Sequence, residues 1–376
     1  MNRQNAGLQC AFWSPPPDPE KPRCPYQRRF TVSITEHVPP PPFGRPEYAP
    51  GDWPYEPMLK EITQTKLVMT CPPLDSKTQS GHRETARPPR QATLTITDTL
   101  AVGNDRGPQL AVCSITPIGE PGSRPFVAVA KIFDPLYYSF TLTKHEPADV
   151  AFSAEVDYCS EAAAYDHLTR QCQAGHLTGA MRSFVPAYYG AWTFTLDILY
   201  EGVQRQRKVR LLLIEHLEGV CLSDLCREAS CALRYDKSYR LGVLARILDG
   251  YARLKHAGVE HNDLAARNVM LLPGPLEIPR PQPIPRVVLI DYNAAVVYDI
   301  SKEGRSEFQE HKLPPSPMFL FWDFSLDKEN FGYWVPEEWN YNPRARQEWL
   351  LEEFGGEKAE MYEPPPRKLE FRHPNW

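Results

Sequence analysis

Eighteen of the chain's 40 prolines fall within its first 90 residues, in runs such as SPPPDPEKP, VPPPPFGRP and ARPPR. Each proline fixes its own φ, removes a backbone donor and pushes the preceding residue toward extended backbone. Such a segment sustains neither helices nor central strands, so residues 1–91 are expected to be a Pro-rich, largely disordered or extended arm. Two islands interrupt the prolines, RRFTVSITEHV and LKEITQTKLVMT, and these are the parts able to pair with or dock on a folded domain. For the rest there are two readings, a plain solvated arm and a polyproline ligand for SH3- or WW-type partners.

From Gln91 the texture changes. ATLTIT and LAVCSITPI alternate apolar and polar residues as half-buried strands do, and FVAVAKIF follows the turn-rich GEPGSRP as a third strand. SAEVDYCSEAAAYDHL combines helix formers with an apolar stripe at Ala164, Tyr165 and Leu168, which predicts one helix. Two aromatic and branched segments, YYGAWTFTLDI and VRLLLIEHL, read as further strands. Five strands with a helix inserted after the third describe a small α+β lobe over residues 92–218.

Beyond it the chain turns helical. DKSYRLGVLARILDGYARLKHAG sets Leu244, Ile247, Leu248 and Tyr251 at helical spacing, with Asp236 as N-cap and Gly258 as the stop. The polar stretch VEHNDLAARNVMLL comes next, then a Pro-rich insertion and the strand RVVLIDY. Reactive polar residues are thus held in a loop between a buried helix and a hairpin. A reduced, mostly helical lobe is expected over residues 219–341, and a helix and tail over 342–376. In that helix, NPRARQEWLLEEFGG, Asn342 is the cap, Pro343 takes the first position and Gly355 is the stop.

Charge and cysteine usage narrow the function. A net charge of −5 gives no basic field for nucleic acid or anionic membrane. The nine cysteines include no C-x-x-C pair, and Cys221, Cys226 and Cys231 recur every five residues without a neighbouring His. Reduced thiols are expected rather than a metal site. No leader and no bilayer-length apolar run is present, so an intracellular protein, cytoplasmic or nuclear, is expected.

HNDLAARN resembles the H-R-D-x-x-x-x-N catalytic loop of the eukaryotic protein kinase-like superfamily. LIDYN resembles the strand and D-F-G that follow it, AVAKIF resembles V-A-I-K, and all three stand in the superfamily's order. The short chain resembles in particular the divergent protein kinase-like proteins of fungi. The resemblance implies a two-lobed fold, with a five-stranded N-lobe and a reduced C-lobe, and ATP and Mg²⁺ as cofactors. It implies that Lys131 neutralises the α/β-phosphates, that Glu161 holds Lys131, with Glu155 as the competing candidate, and that Asp263 takes the acceptor's proton. Asn268 and Asp291 are the implied metal ligands, hard oxygens of the kind Mg²⁺ prefers. Arg267 supplies the positive charge that serine/threonine kinases carry where Ala265 stands. His261 is expected to be structural. In LIEHLEG, Ile214 is the implied gate of the adenine pocket, the backbone of Glu215 and Leu217 faces the base, and Ser223 or Asp224 reaches the ribose.

Four departures qualify this. VGNDRG, with Gly103 and Gly107, is the nearest equivalent of a Gly-rich phosphate loop. Asn262 replaces the Arg that would receive an activation-loop phosphate, so activation by such phosphorylation is not expected. Tyr292 and Asn293 stand where Phe and Gly are usual, which should stiffen that hinge. VPE at Val335–Glu337 resembles A-P-E, yet 39 residues follow it. Trp322, Trp334, Trp339, Trp349 and Trp376 are expected to cover surface that further helices would have buried. The expected acceptor is a protein hydroxyl; a pseudokinase scaffold and a small-molecule kinase are the alternatives.

Overall fold

The computed structural model describes residues 14–49, 53–55, 61–74, 88–104, 106–119, 122–143, 146–175, 179–274, 283–324, 326 and 328–371. Trp376, Asp105 and most of the insertion at 273–285 lie outside them. The chain is mixed α/β and forms two compact units, one from 1–40, 51–159 and 189–214, the other from 41–50, 160–188 and 215–376.

The first unit is a closed barrel of β1 (Thr31–Glu36), β2 (Gln91–Ala101), β3 (Gln109–Ile118), β4 (Phe126–Phe133), β5 (Tyr188–Tyr200) and β6 (Val203–Ile214). Its strand order is β1-β2-β3-β4-β6-β5. This corrects the expected five-stranded lobe: six strands close on themselves, and the sixth comes from the Pro-rich arm. The segment TVSITE lies in a proline-free window between Pro25 and Pro39. It pairs Ile34 with Ala92 on one side and Thr35 with Thr193 on the other. Five strands alone would leave two unpaired edges, and an alternating, proline-free segment is what such edges accept.

Among the described residues before Gln91, the two islands that interrupt the prolines form elements, and residues outside them are buried too. Tyr26 and Ile34 are buried with β1, and Phe43 and Tyr48 are buried in the second unit. The second island forms helix α1 (Gln64–Thr70), capped by the Thr63 hydroxyl, which accepts from Lys66 N. The buried Gln64 Nε2 donates to Pro135 O at 2.6 Å. Proline runs forbid helices where they stand, but they do not stop the intervening residues from finding partners far along the chain.

β2 buries Ala92, Leu94 and Ile96 in alternation, while β4 and β6 are buried on both faces over most of their length. VAVAKIF and VRLLLI accordingly read as continuous apolar runs with an embedded charge. That charge in β4 is Lys131, 5% exposed. Helix α2 (Val150–Gln173) extends the predicted helix at both ends. Within the first unit its Tyr158 meets Phe133 edge-on, with ring centroids 5.5 Å apart.

The second unit is built on α3 (Lys237–His256), whose Val243, Leu244, Ile247 and Leu248 are fully buried. Gly258, at φ 86°, ends it as expected. Strands Val269–Leu272 and Arg286–Leu289 pair antiparallel, and Val220–Cys221 adds a third strand on Met270 and Leu271. Gly219 is required here by close approach: a Cβ on it would stand 2.3 Å from Leu271 O. Helix α4 (Pro343–Phe354) has the predicted cap, Ala345 N donating to Asn342 Oδ1 at 3.2 Å.

Of the late tryptophans, Trp322, Trp334 and Trp339 are buried in the second unit and Trp349 is half-buried there. Trp334 lies against Tyr235 and donates from Nε1 to Arg240 O, while Arg240 Nη1 donates back to Trp334 O. The Trp322 carbonyl accepts from Arg346 Nη2 and Gln347 Nε2, both on α4. Trp339 and Trp349 meet at 5.1 Å. Among the described residues, no helix is long and apolar enough to cross a membrane.

Candidate functional site

The polar loop after α3 is held by a closed circuit of four hydrogen bonds. Asp263 N donates to His261 Nδ1 at 3.3 Å, and His261 Nε2 meets Ile290 O at 3.0 Å. Ile290 N donates to Asn268 O at 2.8 Å, and Asn268 Nδ2 returns to Asp263 Oδ2 at 2.7 Å. Both imidazole nitrogens are thereby spent, so His261 carries its proton on Nε2 and acts as a strut between the loop and the hairpin.

The circuit brings together three of the predicted residues. Asn268, 4% exposed, also gives Nδ2 to the Asp263 main-chain oxygen at 2.9 Å, so the amide face toward Asp263 is fixed. Its other terminal atom, Oδ1, is the one of the class that ligates a hard cation. Asp291 follows Ile290 directly and adopts the left-handed conformation at φ 66° and ψ 71°. Asn262 is also left-handed, at φ 62°, and its Nδ2 donates to Ala294 O. Non-glycine residues held there store strain that the surroundings must offset, and such residues cluster at functional sites. Arg267 Nη2 donates to Asp263 Oδ1, so each carboxylate oxygen has one fixed donor and keeps acceptor capacity.

Behind the loop stands an aromatic column. Tyr292, fully buried, meets the His261 ring at 4.8 Å and the Tyr165 ring at 5.2 Å, and Tyr165 stacks on Tyr188 at 5.3 Å. Among the described residues, the hydroxyls of Tyr165 and Tyr292 are buried without hydrogen-bond partners. Burial, and then the nearby Glu161 carboxylate, push both hydroxyls above the ordinary tyrosine range, so they stay protonated. Glu161 itself is fully buried on α2. Burial, and then Glu155, which lies with it in the first unit, push the Cys159 thiol above its ordinary range against the opposing effect of Arg210. Lys131 sits on β4, paired with Leu110 on β3 and Leu212 on β6.

Two predicted backbone ligands are already engaged. Gly103 N donates to Gln109 Oε1 at 2.6 Å, and Gln109 Nε2 donates to Gly107 O at 3.3 Å. The turn is folded onto a fully buried glutamine, which takes the Gly103 amide that a phosphate loop would offer its ligand. At the other position, Glu215 N donates to Ala187 O at 2.8 Å. Leu217 O accepts from Gly219 N at 3.0 Å.

Sequence reasoning missed Arg286. Its guanidinium grips Glu215 with two bonds, at 2.5 and 2.9 Å, and Nε donates to Ser183 O. Ala187 N donates to the same carboxylate. The Arg286 hydrogen bonds hold the Glu215 carboxyl below its ordinary range, against the opposing effect of burial. Glu215 is depressed on folding, so its contribution is full above the unfolded pKa and fades as pH falls through the folded one. Arg286→Gln is expected to cost on the order of 1–2 kcal/mol at neutral pH. Urea titrations should show that deficit shrinking below the ordinary carboxylate range; a deficit independent of pH would mean the pair is not its source.

Among the described residues no group of three or more His, Cys, Asp and Glu is placed to hold a metal ion. A cation at Asn268 and Asp291 would therefore complete its shell with oxygens from water and ligand, the usual manner of Mg²⁺. The donor set fits that ion.

No family model matches this chain, and no curated protein matches it. Among solved structures, the crystal structure of a kinase domain is similar at a TM-score of 0.31 and 13% sequence identity, over 54% of this chain and 51% of that one. The chain thus spans about half the length of that structure. A likeness of that size leaves the assignment to the residues themselves.

Proposed function

We propose that the chain is an ATP- and Mg²⁺-dependent phosphotransferase of the protein kinase-like superfamily, acting on a hydroxyl of a protein. The observation that carries the reading is the hydrogen-bonded circuit, which holds Asp263, Asn268 and the residue before Asp291 in one arrangement. In this reading Asp263 orients the acceptor hydroxyl and takes its proton, and Arg267 beside it offsets negative charge on the transferred group. Asn268 and Asp291 supply oxygens to the cation, which when bound neutralises the phosphates. Lys131 is assigned to the phosphates and Glu161 to supporting it.

A second reading, a scaffold without chemistry, is favoured by one observation. The Gly103 amide is spent on Gln109, and phosphate binding would require that bond to break. Thermal unfolding with and without ATP separates the two. The phosphotransferase reading expects a Mg²⁺-dependent stabilisation by about 2–3 kcal/mol at ligand a hundredfold above Kd. Asp291→Asn should lose it. ATP that gives no such shift, or gives it equally in Asp291→Asn, would favour the scaffold.

A further inference from the structure

The segment after Asp291 is gripped by the Pro-rich arm. Arg45 Nη2 donates to Asn293 O at 2.7 Å. The Tyr48 hydroxyl donates to Ala295 O at 3.3 Å and accepts from Val297 N at 2.8 Å, so one side chain satisfies two backbone groups as a neighbouring strand would. Lys302 N donates to Glu47 O and Lys302 Nζ to Pro46 O, both at 2.8 Å. On its other flank the same segment pairs Val296 and Val297 with Glu260 and Val259. Tyr48 is 1% exposed and Phe43 4%, so this is an interior contact.

We infer that residues 45–48 are a built-in brace, with Arg45 and Tyr48 as positioning residues that hold Asp291 in its left-handed conformation, and with it the carboxylate assigned to Mg²⁺. Asp291 leads directly into the braced stretch, and Asn293, where a glycine would have left the hinge free, is bonded by its carbonyl to Arg45. The metal clause of the inference rests on the phosphotransferase reading; the brace does not.

The test uses the full chain and two variants, Tyr48→Phe and Arg45→Ala, with hydrogen exchange and Mg²⁺ titration of the ATP-dependent thermal shift. In Tyr48→Phe the Val297 amide loses its acceptor, so amides 295–302 should exchange about tenfold faster while 269–272 are unchanged. Half-saturating Mg²⁺ should rise about three- to tenfold in both variants. Unchanged exchange overturns the brace. Faster exchange with an unchanged Mg²⁺ requirement overturns the positioning role. A wild-type chain that shows no Mg²⁺-dependent shift overturns the phosphotransferase reading and the metal clause with it, and exchange then still decides the brace.

Discussion

Asp263→Asn is expected to lower phosphoryl transfer to protein acceptors by about 10²–10⁴-fold, the usual worth of a positioned general base. The substitution keeps the side chain's shape and one oxygen. The Asn268 amide still donates to the main-chain oxygen of residue 263, at 2.9 Å in the native chain, so the Asn268 oxygen that the phosphotransferase reading assigns to the cation stays placed. What disappears is the charge and one acceptor, and Arg267, which now donates to Oδ1, loses its counter-charge. The loss should therefore fall on kcat, with KM for Mg·ATP and its thermal shift close to native. Radiolabel transfer from ATP measures the first and thermal unfolding the second. Transfer retained within about tenfold would remove Asp263 from the proton-accepting role. Absence of transfer in the native chain, with Mg·ATP still bound, would leave the scaffold reading.

What was legible in the sequence was whatever short-range chemistry decides. FVAVAKIF is β4 from end to end, because a turn-rich stretch bounds it on one side and an acidic residue and proline on the other. Asn342, Pro343 and Gly355 act as read, since a cap is a matter of three or four residues. The polar loop was found because its residues lie within eight positions of each other.

What escaped is long-range. Tyr48 meets residues almost 250 positions away, and no local pattern marks either side. The grip of Arg286 on Glu215 spans 71 positions. The bond from the Gly103 amide to Gln109 spans only six positions, but it depends on Gln109 turning inward, which no local pattern marks. The arm's first island could be read only as able to pair, for a related reason. Proline governs the backbone at its own position and the one before, and TVSITE lies beyond that reach, where β2 and β5 decided its conformation.

The strongest stability effect is expected at Asp134, which fastens that arm to the barrel. Fully buried at the end of β4, it accepts from Arg207 Nη1 at 2.6 Å, from the Tyr26 hydroxyl and from Leu136 N. Tyr26 belongs to the arm and Arg207 to β6, so one carboxylate joins three stretches of chain. Burial alone would lower the Arg207 pKa; Asp134 more than reverses this and holds it above its ordinary value. Asp134→Ala leaves a guanidinium 7% exposed and, among the described residues, without a counter-charge and with its Nε already lacking a partner. Breaking a buried pair in this way costs about 3–5 kcal/mol, a large share of the 5–15 kcal/mol typical of a domain. Urea unfolding should show that loss, and limited proteolysis should find the arm cut earlier, since Tyr26 loses its acceptor too. Asp134→Leu combined with Arg207→Met should recover most of the stability, because the cost lies in the unpaired charge more than in the missing contact. A single variant within about 1 kcal/mol of native would mean that water or a rearranged partner already serves Arg207, and that the barrel closes without this clasp.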